Sequence, residues 1–231
     1  MSESTACILL STYNGERYLR QFLDSALNQK NVNVHLVVRD DGSTDGTIDI
    51  LDEYATRYPE DFTVMKKQNI GCERSFYELL KTDYKADYYA FADQDDIWMN
   101  NKIESAIREL KKYSGPGVYG CNLLICDADM NPIRNLLPFK TEEEFKEGFH
   151  NRIFTNIQGC VLVWNAAMQK LLRNYTPDAD ICHHDSWVNL AGKIIGGGAT
   201  HSTPIRISTT GSIAVTRPGL QHRSSRRLYA A

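Results

Sequence analysis

Along the first half of the chain, short unbroken apolar runs alternate with stretches whose apolar residues recur every three or four positions. Ala6-Cys7-Ile8-Leu9-Leu10 reads as a buried strand, and Tyr18, Leu19, Phe22, Leu23, Ala26 and Leu27 as one face of a helix. Val34-His35-Leu36-Val37-Val38 predicts a second strand. The helix after it has Ile48, Leu51, Tyr54 and Ala55 on one face and Ser43, Thr44 and Asp45 as candidate caps. Phe62 to Met65 and Tyr88 to Ala92 predict the third and fourth strands. Arg74 to Lys81 predicts a helix between them, and Ile103, Ala106, Ile107 and Leu110 mark a helix after the fourth. Consecutive strand–helix units predict an α/β fold: a mostly parallel sheet with helices on both faces. In such sheets ligands bind beyond the carboxyl ends of the strands, which directs attention to the loops Ser11 to Glu16, Asp40 to Gly46 and Asp93 to Trp98.

The second half is less regular. Val118 to Ile125 and Gly159 to Trp164 read as strands, Glu142 to Phe149 and Asp185 to Ile195 as helices, and Gly196-Gly197-Gly198 as a flexible break. The expected organisation is a single α/β domain over 1–216, with a first half near 5–115 and a second half over 116–216 that shapes a second substrate site. A basic tail follows over 217–231, with Arg217, Arg223, Arg226 and Arg227.

Composition narrows the function. The 231 residues carry 26 basic and 29 acidic side chains, a net charge of −3, which excludes a broadly basic nucleic-acid binder. No apolar run approaches the roughly 18 residues of a membrane-spanning helix. Met1 to Thr5 lacks a basic segment followed by an apolar one, so a secretory leader is not expected. Cysteines at 7, 72, 121, 126, 160 and 182 form no C-x-x-C pair and no zinc cluster, and read as reduced thiols of a cytoplasmic protein.

Four segments carry candidate chemistry. In Phe91-Ala92-Asp93-Gln94-Asp95-Asp96-Ile97-Trp98 an apolar strand ends in three carboxylates within four positions. Such carboxylates repel unless a cation compensates, and a hard divalent ion, Mg²⁺ or Mn²⁺, suits oxygen ligands and phosphates. The plain alternative is an acidic turn capping the next helix. Val37-Val38-Arg39-Asp40-Asp41-Gly42-Ser43 places a carboxylate at a strand end, where it suits a base N–H or a ribose hydroxyl, although Asp, Gly and Ser are also ordinary turn residues. Ser11-Thr12-Tyr13-Asn14-Gly15-Glu16 offers hydroxyls, an amide and an aromatic ring to a nucleotide, or is an ordinary strand-to-helix turn. In His183-His184-Asp185-Ser186-Trp187 an aspartate at a helix start suits a general base beside an aromatic platform, or a simple N-cap. The chain contains no G-x-x-x-x-G-K-[ST], G-x-G-x-x-G or G-x-S-x-G motif.

Taken in order, these segments resemble the family 2 glycosyltransferases of the GT-A fold over roughly residues 5–215. The Asp-Gln-Asp-Asp-Ile-Trp form is most similar to a bacterial branch rich in rhamnosyltransferases of surface polysaccharide assembly. The resemblance implies a nucleotide-sugar donor, dTDP-rhamnose or a UDP-hexose, and inverting, metal-dependent transfer to a saccharide or lipid-linked acceptor. Ser11, Thr12, Tyr13, Glu16, Asp41, Arg74, Asp93 and Gln94 would then face the nucleotide. Asp95 with Asp96 would hold Mn²⁺ or Mg²⁺, and Asp185 would be the catalytic base. Trp98, Gly159, Cys160, His184 and Trp187 would shape the acceptor and sugar sites. Many relatives complete the metal shell with a histidine before a glycine near the last strand; here Thr210 precedes Gly211. The arginines of the tail suit the inner face of the cell membrane or, equally, a solvated terminus. Two other readings stay open: a non-catalytic nucleotide-sugar-binding module and, lower, a sugar nucleotidyltransferase.

Overall fold

The computed structural model describes residues 3–112, 114–121, 123–126, 132–135, 158–197 and 212–215. The chain runs β1 (Thr5–Thr12), α1 (Leu19–Leu27), β2 (Asn33–Asp40), α2 (Thr47–Arg57), β3 (Phe62–Lys66), α3 (Cys72–Leu80), β4 (Tyr88–Asp93), β5 (Asp96–Trp98) and α4 (Lys102–Leu110). It continues through β6 (Val118–Gly120), β7 (Leu123–Cys126), β8 (Pro132–Asn135), a 3-10 turn at Gly159–Val161, β9 (Leu162–Asn165), α5 (Ala166–Asn174), α6 (His184–Gly197) and β10 (Ser212–Val215).

Six strands form the main sheet in the order β3-β2-β1-β4-β9-β6. The first four are parallel, as the alternating pattern requires, and β9 is antiparallel to both β4 and β6. Ala6 to Leu10 of the central strand are all buried, so both sheet faces are covered. Helix α1 buries Leu19, Phe22, Leu23 and Ala26, the stripe its periodicity predicts; each large apolar side chain removed from water contributes about 1.5–3 kcal/mol. Asp45 starts α2 by accepting the Thr47 N–H at 3.0 Å.

Two features of this topology place the site. Strand order reverses between β1 and β4, the switch point where a crevice opens at the carboxyl edge. Register sets Ser11 beside Asp93 and Thr12 beside Asp40 at that edge. Because β9 runs antiparallel to β4, pairing Ala90 with Val163, its beginning and the Gly159–Val161 turn lie beside the end of β4.

The second half departs from expectation. Val118 to Ile125 is not one strand: it breaks after Gly120, leaving β6 in the main sheet and β7 in a second sheet ordered β5-β10-β7-β8. Gly159 to Trp164 opens as a 3-10 turn before it becomes a strand. Helix α5 carries no clear apolar run in the sequence, yet Asn165 caps it by accepting the Met168 N–H at 3.0 Å. Gly196 and Gly197 continue α6 rather than break it. The helix expected over 142–149, the stretch 201–211 that includes His201, Thr210 and Gly211, and the basic tail lie outside the described residues.

Candidate functional site

Three loops meet at the switch point, and side-chain hydrogen bonds tie them together. The first loop, after β1, grips the second, after β2. Asn14 adopts φ +47° and accepts the Thr44 N–H through Oδ1 at 2.8 Å, while its own N–H donates to Ser43 Oγ at 2.9 Å. Glu16 Oε2 accepts the Gly46 N–H at 3.0 Å. Asp40 closes its own turn by accepting the Gly42 and Ser43 N–H groups and the Thr12 hydroxyl. Gly42 sits at φ +80°, where other residues are strained. The third loop, after β4, grips the first: Gln94 accepts from Tyr13 N at 3.1 Å and donates to Tyr13 O at 3.0 Å. Tyr13 is left half exposed at the rim.

Asp41 is buried and fully engaged. It pairs with the buried Arg39 guanidinium and accepts the Ile70 and Gly71 N–H groups, both at 2.9 Å, just ahead of α3. Ser11 meets Ser75 of α3, Oγ to Oγ, at 2.6 Å. Arg74 is exposed and paired with Asp180 at 2.8 Å.

The acidic run is divided by burial. Asp93 and Asp95 are half-buried, whereas Asp96 is buried at the start of β5 with Oδ2 lacking a hydrogen-bond partner. Burial pushes the Asp96 carboxyl well up, and the charges of Asp93 and Asp95 add to this. The opposing charge comes from Lys102 of α4, itself buried; it donates to Cys160 O at 2.5 Å and lies 3.3 Å above the Trp98 ring. Burial lowers its pKa, against the opposing influence of Cys121, Cys160, Asp96 and Asp93.

Ligating atoms of Asp93, Asp96 and Cys160 lie within 4.8 Å of one another. The fold therefore groups Asp96 with Asp93 and Cys160, not with Asp95 alone as the sequence suggested. Burial, then Asp96 and Asp93, hold the Cys160 thiol well above its ordinary pKa, so it stays protonated and hydrogen-bonds Asp96. A protonated soft sulfur does not suit a hard cation. Carboxylate oxygens of Asp93 and of Asp96, whose Oδ2 has no hydrogen-bond partner, do suit a hard divalent cation.

On the opposite wall, α6 begins at His184, and Asp185 follows half-buried in its first turn. The Gly159–Val161 turn abuts it: a Cβ on Gly159 would stand 2.9 Å from His184 Nε2 and 3.5 Å from Asp185 Cβ. Cys72, at the start of α3, links the walls. Solvent reaches it, yet desolvation by the cleft, followed by the charges of Asp93, Glu73, Asp41 and Asp185, pushes its thiol up to about 12. The groups that act on it come from the loop after β2, the end of β4, α3 and α6.

Two sequence-based assignments change. Trp98 is buried, edge-on to Phe22 at 5.6 Å and beneath Lys102, so its ring belongs to the core and is not an open sugar platform. His184 is also buried, stacked on Phe76 at 4.1 Å, so it supports the wall rather than presenting a ring to a sugar. Trp187 is half-buried against the core. Sequence reading missed Glu73, Lys102 and Arg39. Glu73 and Lys102 sit in amphipathic helices as apparently ordinary polar residues. Arg39 had a signal, a charge inside an apolar strand.

A model of glycosyl transferase family 2 matches residues 7–176. The chain belongs to glycosyl transferase family 2. The family 2 match takes in all three loops and the Gly159–Val161 turn, and ends before α6. The chain is 35% identical over 119 residues to the dTDP-rhamnosyl transferase RfbG of Shigella flexneri, covering 50% of this chain and 41% of that protein. It is 27% identical over 184 residues to an uncharacterized glycosyltransferase of Rickettsia typhi, covering 78% and 56%. The chain therefore spans about half the length of these relatives. Among solved structures, S. aureus TarS 1-349 with UDP-GlcNAc superposes with a TM-score of 0.62 at 20% identity, over 96% of this chain and 61% of that one. Mannosyltransferase PcManGT from Pyrobaculum calidifontis, solved with GDP-Man and Mn2+, gives 0.63 at 19% identity, over 95% and 58%. These likenesses establish the GT-A type of α/β fold for this family 2 chain. No helix among the described residues is long and apolar enough to cross a membrane.

Proposed function

We propose that this chain is an inverting glycosyltransferase that moves a sugar, rhamnose from dTDP-rhamnose or a hexose from a UDP-sugar, to a saccharide or lipid-linked acceptor in bacterial polysaccharide synthesis. Its catalytic domain is 1–216. It works in the cytoplasm, with the basic tail 217–231 against the inner membrane face. The observation that carries the reading is the joining of the three carboxyl-edge loops at the β1/β4 switch point through the Gln94–Tyr13 and Asn14–Thr44 hydrogen bonds, with the acidic run at the same edge.

In this reading Ser11, Thr12, Tyr13 and Asp41 line the nucleoside side of the cleft, with Glu16 and Gln94 bracing its loops. Arg74 is free to exchange Asp180 for a phosphate, because an exposed ion pair contributes little. Asp93 faces the ribose. Asp95, with Asp93 and Asp96, would hold Mn²⁺ or Mg²⁺, which supplies Lewis-acid stabilisation of the departing diphosphate when bound. Asp185 accepts the proton of the acceptor hydroxyl. The hydroxyl oxygen attacks the anomeric carbon on the face opposite the diphosphate, and the breaking C–O bond leaves its electron pair on the nucleoside diphosphate. A positioned base of this kind contributes about 10²–10⁴-fold. Gly159 and Cys160 form the floor beneath the acceptor, and Trp187 stands beside it.

The test is a thermal-shift screen of nucleotide sugars with and without Mn²⁺. One sugar nucleotide should raise the unfolding temperature more with the metal than without it, because a ligand that binds only the folded state stabilises it. A screen in which dTDP- and UDP-sugars leave the transition unmoved contradicts the reading.

A further inference from the structure

Glu73, in the first turn of α3, reaches across to the beginning of α6. Its Oε2 accepts the backbone N–H of His184 at 3.0 Å and lies 2.8 Å from His184 Nδ1, while Oε1 lies 2.7 Å from His183 Nδ1. An ionised carboxylate only accepts, so both Nδ1 atoms are donors. His184 is thereby fixed with a proton on Nδ1, and its Nε2 turned to the Gly159 turn. The ring has little freedom to move, being stacked on Phe76 and edge-on to Phe91 at 5.1 Å.

The first N–H groups of any helix lack partners within it, and a negative charge there is favourable. Glu73 supplies both the acceptor and the charge, from a different helix. Asp185 is the next residue. Two residues along α3 from Glu73, Ser75 holds Ser11 of the first donor loop at 2.6 Å. One helical turn therefore contacts the donor loop and the acceptor helix together.

We propose that Glu73 is a positioning residue: it caps α6 from across the cleft and, through His184, fixes Asp185 relative to the donor loops. The clamp stands on geometry alone; its effect on turnover rests on the reading of Asp185 as the base.

The experiment uses the full chain and the variants Glu73→Gln, Glu73→Ala and Asp185→Asn. Amide hydrogen exchange is followed over 184–187, and ring ¹⁵N shifts report the His184 tautomer. Both Glu73 variants should speed exchange in the first turn of α6 by about tenfold or more, with β1 amides within about twofold of wild type. The His184 ring should lose its fixed Nδ1 proton. Unchanged exchange and an unchanged tautomer would overturn the proposal. Should Glu73→Ala fail to fold, the near-isosteric Glu73→Gln decides. In parallel, nucleoside diphosphate release is measured from dTDP-rhamnose and from UDP-glucose with Mn²⁺. Glu73→Gln should lower kcat about tenfold or more while the donor KM stays within about twofold. Wild-type turnover in Glu73→Gln beside an inactive Asp185→Asn overturns the positioning role. Wild-type turnover in Asp185→Asn instead overturns the base assignment, and the exchange and tautomer results then decide the clamp by themselves.

Discussion

The Gln94 side chain fills the space that a side chain on Gly15 would need: a Cβ there would stand 2.2 Å from Gln94 Oε1. The same amide makes two hydrogen bonds to the Tyr13 backbone. The loop after β1 and the acidic loop after β4 are therefore one unit, and a substitution in one is felt in the other. Gly15→Ala should push Gln94 aside, since the clash is with the end of a flexible chain, and lose both bonds. At about 1 kcal/mol net for each bond, denaturant unfolding should show a loss of about 1–2 kcal/mol. Adding Gln94→Ala to Gly15→Ala should change stability little further. A full additive loss would show that the pair does not join the loops.

Gly159→Ala should be harsher than its size suggests. The new methyl meets His184 Nε2 at 2.9 Å, and that ring is held by Phe76 and Glu73. Overpacking of this kind costs about 1–3 kcal/mol. Thermal unfolding should register that loss, and sugar transfer should fall with it because Asp185 Cβ lies 3.5 Å from the same point. A stable variant with full activity would remove the turn from the acceptor wall.

The parts legible in the sequence are those fixed by local pattern. Apolar runs such as Ile8-Leu9-Leu10 and Tyr89-Ala90-Phe91 mark strands covered on both faces, and the carboxyl-edge rule then selects three loops that the fold ties together by hydrogen bonds. What stayed hidden depends on distant partners. Glu73 matters because α6 begins against it, 111 residues on at His184, with His183 just before. Lys102 looks like a first-turn surface lysine until the Cys160 carbonyl, 58 residues away, is seen to bury it. Trp98 stands beside acids in the sequence, and only the fold shows β5 turning it inward against Phe22. Val118 to Ile125 reads as one strand because periodicity does not reveal that its two halves join different sheets.

Lys102→Met tests the buried cation beneath the acidic run. Removing the ammonium leaves the Cys160 carbonyl without its 2.5 Å donor and Asp96 without its neighbouring charge. A buried carbonyl left without its donor costs about 1–3 kcal/mol. Urea unfolding should show a loss of that order, and Lys102→Met with Asp96→Asn should lose less than the sum of the single variants. Strict additivity would mean that the two groups do not interact.

The Glu73 clamp should have a pH window. Desolvation raises the Glu73 pKa, but hydrogen bonds and charge from His184, with His183, outweigh it and hold the carboxyl at about 2. Its contribution is present above about pH 4.3, the ordinary glutamate value, and is lost as pH falls from there towards 2. His183 is raised above 6.5, first by its hydrogen bond to Glu73 and then by that charge. Its contribution is complete below about pH 6.5 and is lost as pH rises through the elevated value. Cys72, Tyr77, Cys182 and Asp185 also face this cluster. Protection of the first turn of α6, corrected for intrinsic exchange, should be greatest between about pH 4.5 and 6.5. Glu73→Gln should flatten that maximum; a maximum that persists would assign it to other groups.

The most direct measurement of the central claim is product analysis with dTDP-rhamnose and UDP-sugars, Mn²⁺ and a panel of saccharide and lipid-linked acceptors. The account predicts nucleoside diphosphate and a glycoside of inverted anomeric configuration, with transfer reduced about 10²-fold or more in Asp185→Asn. Wild-type transfer by Asp185→Asn, or pyrophosphate in place of nucleoside diphosphate, would contradict it.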